Sequence, residues 1–146
     1  MAYSTLADIK NVVPEASIVQ LTDDVGTGTV DQAKVDKAIA DADELIDSFL
    51  RGQYATPLSP VPGVVNKLSV DIAVFNLYSR RPEAEMPETV LVRYREAVRL
   101  LERIQRGLAL LGTPSEQSAE SPQYKVSKTA EDKVFDGALL DKFFSL

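Results

Sequence analysis

Residues 31–52 carry the strongest folding signal in the chain, an apolar stripe with the period of an α-helix. Asp31 is placed to cap the first turn, and Gly52 is placed to end the helix in the left-handed conformation. At about 100° per residue the stripe occupies one face, so the pattern predicts a long amphipathic helix packed against a core. The stripe consists of Val35, Ala38, Ile39, Ala42, Leu45, Ile46, Phe49 and Leu50.

Three acidic side chains, Asp36, Asp43 and Asp47, project from the edge of this stripe. We call them the acidic flank and regard them as candidates for contact with another subunit. Asp43 and Asp47 also stand four positions apart, a spacing compatible with the paired carboxylates of acid and base catalysis. Acids at this spacing are common on exposed helix faces, and no histidine accompanies them. We therefore do not expect a catalytic pair.

The segment that follows, residues 54–63, contains prolines at positions 57, 60 and 62. Proline fixes its own φ and favours extended geometry in the residue before it. We therefore expect a rigid segment that holds the acidic helix apart from the next helix. Residues 64–81 resume helical spacing, with apolar side chains around nearly the whole circumference. A helix of that kind is typically the buried centre of a bundle.

A further long helix is predicted from Glu88 to about Leu111, with a core stripe on one face and arginines on the other. Two interpretations of the arginines remain open. They form a solvated face paired internally with Glu96 and Glu102, or a ridge that meets acidic residues of a neighbouring subunit. The core stripe is Val90, Tyr94, Ala97, Val98, Leu101, Ile104 and Leu108. The opposite face, which we call the arginine ridge, is Arg95, Arg99, Arg103 and Arg106.

Two shorter pieces precede these helices. A first helix is expected to begin after Ser4 or Thr5, where a hydroxyl can cap it, and to end at Pro14. A second apolar piece covers residues 16–21. Together the elements predict an all-α fold, a small helical bundle of about four helices over residues 1–112.

The C-terminal part has a different composition. Residues 113–123 are rich in Ser, Glu, Pro and Gln and are predicted to form a linker. Residues 124–146 regain large apolar groups and are predicted to be a docking segment, either on the chain's own domain or on another chain. The candidate docking residues are Phe135, Leu139, Leu140, Phe143 and Phe144.

The composition argues against several classes of function. The 146 residues include no cysteine and no histidine, which removes thiolate metal sites and the usual proton shuttle. A net charge of −6 argues against sequence-independent nucleic-acid binding. Neither a membrane span nor a secretion signal is apparent. We expect a cytosolic protein that is not an enzyme and uses no cofactor.

The charge is unevenly distributed along the chain. Residues 1–60 hold 4 Lys/Arg and 10 Asp/Glu, whereas residues 61–112 hold 8 and 6. An acidic part is thus joined to a mildly basic one. Such a chain can attract a copy of itself head to tail, although two solvated faces are an equally acceptable interpretation.

The loop from Asp23 to Lys34 can be compared with a calcium-binding loop. Asp23, Gly28 and Asp31 fall at positions one, six and nine of the twelve-residue pattern. Positions three and five lack carboxylates, and Lys34 occupies position twelve, where a glutamate is required. We expect a turn that leads into a helix cap and no metal site. A small helical calcium-responsive or regulatory module remains the alternative function.

Several motifs occur in a recognisable order. They are MAYSTLADI, QLTDDVGTGTVD, AIADADELIDSFLRGQYATPL followed by SPVP, DIAVFNLYSRRP, and KVFDGALLDKF near the end. Their order and spacing resemble those of Mu-like bacteriophage and prophage proteins of the head-completion, or head-tail connector, type. The resemblance covers about residues 1–112 and is weaker near the C-terminus.

The resemblance implies a small all-helical virion adaptor, made in the bacterial host cytoplasm, that assembles as a ring below the portal. Such a ring, with implied twelvefold symmetry, extends the DNA channel and offers a surface to the tail. The implied partners are other copies, the portal protein and a tail-completion or tail-terminator protein, while DNA passes without specific binding. The acidic flank and the arginine ridge are candidates for the two patches that a ring requires. A channel lining is the other role open to the acids.

Overall fold

The computed structural model describes residues 2–112, and within them the chain forms five α-helices and no β-strand. The predicted all-α class is confirmed, with two short and three long helices instead of about four. The three long helices pack on one another, and each of the two short helices contacts two of the long ones, the first and the second in chain order. The helices are α1 (Leu6–Lys10), α2 (Glu15–Thr22), α3 (Gln32–Leu50), α4 (Gly63–Ser79) and α5 (Glu88–Gln105).

The first helix begins where the sequence offers a cap. The Thr5 hydroxyl accepts a hydrogen bond from the Asp8 N–H at 3.3 Å, and the Asp8 carboxylate accepts one from the Thr5 N–H at 2.9 Å. This reciprocal pair is a capping box. α1 ends at Lys10, before Pro14 is reached, and Pro14 instead stands directly before α2. A helix start accepts proline because an N–H there has no partner within the helix.

The end of α3 differs from the prediction. Gly52 does not have a positive φ, so the expected left-handed stop at this residue is wrong. The chain instead continues through one more turn, in which the N–H groups of Gln53 and Tyr54 donate to the Leu50 carbonyl at 2.9 and 2.8 Å. This turn carries Tyr54 into the core, where it is 2% exposed.

The proline segment does not hold α3 and α4 apart, so that expectation is also wrong. These two helices make the most extensive helix–helix contact in residues 2–112. Leu58, in the middle of the segment, is 6% exposed, and its N–H donates to the Tyr3 hydroxyl at 2.9 Å. The segment therefore packs against the bundle with its own side chains.

α4 is the buried centre that its apolar circumference predicts. It contacts all four other helices, and its buried residues include the polar Ser69 and Asp71. The Phe75 ring stacks on the Tyr94 ring of α5, with centroids 3.8 Å apart and planes 10° apart. Full burial of a large apolar side chain stabilises a fold by about 1.5–3 kcal/mol. The buried side chains of α4 therefore make a large contribution to the stability of the bundle.

α5 is shorter than predicted because Gly107 ends it. Gly107 has a φ of 75°, and its N–H donates to the Ile104 carbonyl at 3.0 Å. The Leu108 N–H donates to the Arg103 carbonyl at 2.8 Å, which completes a Schellman motif. Leu108 was predicted in the core stripe but is 67% exposed, because the helical period stops before it.

Candidate interaction surfaces

The N-terminal residues are tied to α3 and α4 by a polar network of Tyr3, Ser4, Asp43, Asp47 and Ser69, which we call the N-terminal network. The Asp43 carboxylate accepts from the Tyr3 N–H at 2.9 Å and from the Ser69 hydroxyl at 2.7 Å. The Ser4 and Ser69 oxygens are 2.7 Å apart. Because Ser69 donates to Asp43, Ser4 donates to Ser69. The polar groups buried here are thus satisfied by one another.

Tyr3 connects this network to the proline segment. Its side chain is 3% exposed, and its hydroxyl donates to Asp47 while accepting from the Leu58 N–H. The Asn66 side chain donates to the Tyr3 carbonyl at 2.8 Å. Burial, reinforced by the hydrogen bond to Asp47, raises the pKa of the Tyr3 hydroxyl to about 12. One residue therefore joins α3 and α4 to the segment between them, through its hydroxyl and its backbone carbonyl.

The acidic flank does not form a single surface. Asp36 is exposed and Asp47 is partly exposed, but Asp43 is only 9% exposed. Burial raises the pKa of Asp43, and the hydrogen bonds that it accepts oppose this shift. Asp43 is thus an internal group. Asp36 and Asp47, together with Glu44, line an open groove of about 610 Å³ beside the N-terminal segment.

The Asp23 carboxylate organises the loop before α3. It accepts hydrogen bonds from the N–H groups of Gly26, Thr27 and Gly28 at 3.0, 3.0 and 2.7 Å. These bonds, that of Gly28 above all, lower the pKa of Asp23. No group of three or more metal-ligating side chains that could hold an ion occurs in residues 2–112. The carboxylate thus serves the loop's own amides, and the prediction that the loop takes no calcium stays a prediction.

Asp24, the next residue, contacts three cations, an arrangement that the sequence pattern did not predict. Its carboxylate lies 2.7 Å from the Lys34 ammonium, 2.7 Å from the Arg80 guanidinium and 2.5 Å from that of Arg81. Hydrogen bonds from Arg80, then Lys34 and Arg81, hold the pKa of Asp24 far below its usual range. Asp24 thereby fastens the loop to the start of α3 and to the residues that follow α4.

Replacing Asp24 with asparagine is expected to destabilise the fold at neutral pH but to matter less in acid. The folded-state pKa of Asp24 lies below its usual value of 3.8. The contribution of the charged Asp24 carboxylate to the free energy of unfolding is therefore fully present above the unfolded-state pKa. This contribution is lost as the pH falls through the folded-state pKa. Urea unfolding of both proteins from pH 7 to pH 2 measures the difference.

The control is Asp41→Asn, because within residues 2–112 Asp41 pairs only with Lys37, whose side chain is 74% exposed. An exposed pair of this kind contributes little to stability, so this variant should unfold like the wild type. A difference between wild type and Asp24→Asn that stays constant from pH 7 to pH 2 would contradict the assignment.

The arginine ridge is exposed along its whole length. None of its four guanidinium groups forms an ion pair or hydrogen bond with another residue in the range 2–112. The internal pairs Glu102–Arg106 and Glu96–Arg99 are absent there, so the self-paired interpretation gains no support. The ridge is a row of cations on a rigid helix, without carboxylate partners in the described part of the chain.

The candidate docking residues Phe135, Leu139, Leu140, Phe143 and Phe144 lie outside the described residues, as do the predicted linker and docking segment. The described chain ends close to the turn after α3, where the Leu111 N–H donates to the Tyr54 hydroxyl at 3.0 Å.

Among the helices of residues 2–112, none combines the length and the apolar character that a bilayer span requires.

Residues 3–129 match the protein family described as Bacteriophage Mu, Gp36. The chain belongs to this family. It is 31% identical to the Mu-like prophage FluMu protein gp36 of Haemophilus influenzae over 103 residues, 70% of each chain. It is 30% identical to gene product J of Escherichia phage Mu over 124 residues, 84% of each chain. The resemblance to Mu-like phage and prophage proteins is thereby confirmed, and the chain is a phage protein.

The part of the chain that matches the Mu gp36 family contains the N-terminal network, the Asp24 cluster and the arginine ridge, but not the candidate docking residues at 135–144. It begins at Tyr3 and so includes the N-terminal network, and it continues beyond the Asp24 cluster and the arginine ridge. These features therefore lie in the family's own domain.

Proposed function

We propose that the chain is a head-tail connector, a head-completion adaptor of the virion that forms a ring below the portal, extends the DNA channel and provides the tail-attachment surface. The observation that carries this proposal is the exposed arginine ridge, without partners in residues 2–112, on a member of the Mu gp36 family. A closed ring needs two different patches on each copy. A row of cations that have no carboxylate partner among the described residues is suited to be one of them.

Two further properties support the role. The three long helices pack directly on one another, so the surface patches are held at fixed positions, as an adaptor between two large assemblies requires. The net charge of −6 disfavours attachment to phosphate groups, which suits a channel through which DNA slides. The proposed partners are further copies of the chain, the portal protein and a tail-completion or tail-terminator protein, with no membrane and no enzymatic activity.

Removal of the gene from the phage or prophage that encodes the chain tests this function. We expect DNA-filled heads and free tails to accumulate separately, because the junction between them is missing. Electron microscopy of the lysate and the infectious titre are the measurements. Supplying the wild-type gene should restore joining, and so should Lys10→Gln, which alters an exposed charge already paired with Glu15.

Tailed, infectious particles at the normal titre in the absence of the gene would overturn the proposal. That result is also what the alternative predicts, because a small calcium-responsive or regulatory module would not be required at the junction. The same lysate therefore separates the two functions.

A further inference from the structure

The arginine ridge has a counterpart of matching length elsewhere on the chain. At about 1.5 Å per residue the ridge spans about 16 Å, from Arg95 in α5 to the C-cap residue Arg106, within roughly 80° of the helix circumference. On α3, Asp36, Glu44 and Asp47 span the same length within the same arc. We call these three acids the acidic row. They are exposed or partly exposed and line the groove beside the N-terminal segment.

The two sets also agree in spacing when the helices run parallel. Counted from Asp36, the acids stand at positions 0, 8 and 11; counted from Arg95, the arginines stand at 0, 4, 8 and 11. The remaining arginine, Arg99, then faces Ala40, which leaves room for its side chain. An antiparallel arrangement places Arg99 opposite Asp43, which is buried and already bonded. The parallel pairs are Arg95–Asp36, Arg103–Glu44 and Arg106–Asp47.

The acids of the row can accept further hydrogen bonds. One oxygen of Asp36 accepts from the Gln32 side chain at 2.7 Å, and one oxygen of Asp47 accepts from Tyr3, so each keeps a second oxygen. Glu44 pairs with Arg51 at 2.7 Å, but the two side chains are 69% and 57% exposed. Such a pair contributes little and is readily exchanged for another arginine.

The surroundings of the ridge favour a protein partner over DNA. Exposed Glu96 and Glu102 stand beside the arginines on α5, and they would repel a continuous row of phosphates. A surface of mixed charge suits them better. The outer face of α3 is such a surface, since Lys37 and Asp41 lie beside the acidic row.

We propose that the arginine ridge of one copy lies along the acidic row of the next copy, with α5 and α3 parallel and in the register given above. This interface rests on the proposed function and deepens it, because it names the two patches by which neighbouring subunits of the ring meet. Asp43 takes no part in it and serves inside the subunit.

Charge reversal on each side tests the interface. We expect Asp36→Arg with Glu44→Arg, and separately Arg95→Glu with Arg103→Glu, to reduce the chain retained on DNA-filled heads about tenfold or more, because attraction becomes repulsion at two pairs. When the two double variants are produced together, alternate copies are complementary and retention should return. A chain with all four changes should also be retained. Each variant is produced in cells lacking the wild-type gene.

A register control is a single chain that carries Asp36→Arg and Glu44→Arg along with Arg99→Glu and Arg106→Glu. These changes restore the balance of charge but place the new acids at the wrong positions, so retention should not return. Circular dichroism and thermal unfolding verify that the variants are folded. The interface is overturned if a folded double variant is retained like the wild type, if co-production fails to rescue, or if the control rescues equally well.

Failure of this interface is distinguishable from failure of the proposed function. If head-tail joining requires the gene but reversal has no effect, the function stands and the interface is wrong. If joining proceeds without the gene, the function is wrong. Sedimentation of the concentrated wild-type chain and its variants then decides the interface, with loss of self-association in both double variants and its return in the mixture as the supporting result. Any other pattern overturns it.

Discussion

Replacing Tyr3 with alanine is expected to lower the free energy of unfolding by about 3–5 kcal/mol, the range measured when large aromatic side chains are removed from a core. The Tyr3 side chain is 3% exposed, so its removal leaves a cavity between α3, α4 and the proline segment. The loss of its hydroxyl also leaves the Leu58 N–H without a partner. Urea unfolding followed by circular dichroism measures the change.

Tyr3→Phe separates the hydroxyl from the ring. It keeps most of the packing but leaves the Leu58 N–H and one Asp47 oxygen unsatisfied, so we expect a loss of about 1–3 kcal/mol. The control is Val25→Ala at a site that is 84% exposed, where no measurable change is expected. If Tyr3→Ala unfolds at the urea concentration of the wild type, the N-terminal network does not contribute to the fold as described.

Replacing Asp43 with alanine is expected to lower the free energy of unfolding by about 1–3 kcal/mol, because two buried donors lose their acceptor. These donors are the Tyr3 N–H and the Ser69 hydroxyl. Asp43→Asn should cost less. The asparagine carbonyl can accept from Tyr3, and the Ser69 hydroxyl can turn to accept from the new amide. Urea unfolding at one pH ranks the three proteins.

The pH dependence of Asp43 has the opposite sign to that of Asp24. Burial raises the folded-state pKa of Asp43. Its contribution to the free energy of unfolding is therefore fully present below the unfolded-state pKa and is lost as the pH rises through the folded-state pKa. The stability of the wild type relative to Asp43→Asn should therefore be greater in acid than at neutral pH. A relative stability that increases with pH would contradict this assignment.

The long helices were predictable because their signals are local. The stripe of α3 and the apolar circumference of α4 arise from residues that are neighbours along one helix, and the Asp31 cap is adjacent to the turn that it serves. The helix ends were harder to predict. Gly52 and Gly107 both follow an arginine, yet only Gly107 adopts a positive φ. The difference is tertiary, because Tyr54 enters the core two residues after Gly52 and draws the chain through another turn.

The candidate surfaces also include features that local sequence predicts and features that depend on distant residues. The exposure of the arginine ridge follows from helical period alone. Asp43 and Asp36 both flank the α3 stripe and look equivalent in the sequence, but Asp43 is buried by Tyr3, a residue 40 positions away. Asp24 likewise meets Arg80 across 56 positions. The only local signal for that cluster was the pair of adjacent acids before α3 and of adjacent arginines after α4.

The N-terminal network also fixes an order of events during synthesis. Tyr3 and Ser4 are made early, but their partners Asn66 and Ser69 follow 63 and 65 positions later. At about 5–20 residues per second, the first residues wait roughly 3–13 s on the ribosome before their binding site is made. Tyr3 and Ser4 therefore cannot reach their native positions until α4 has emerged.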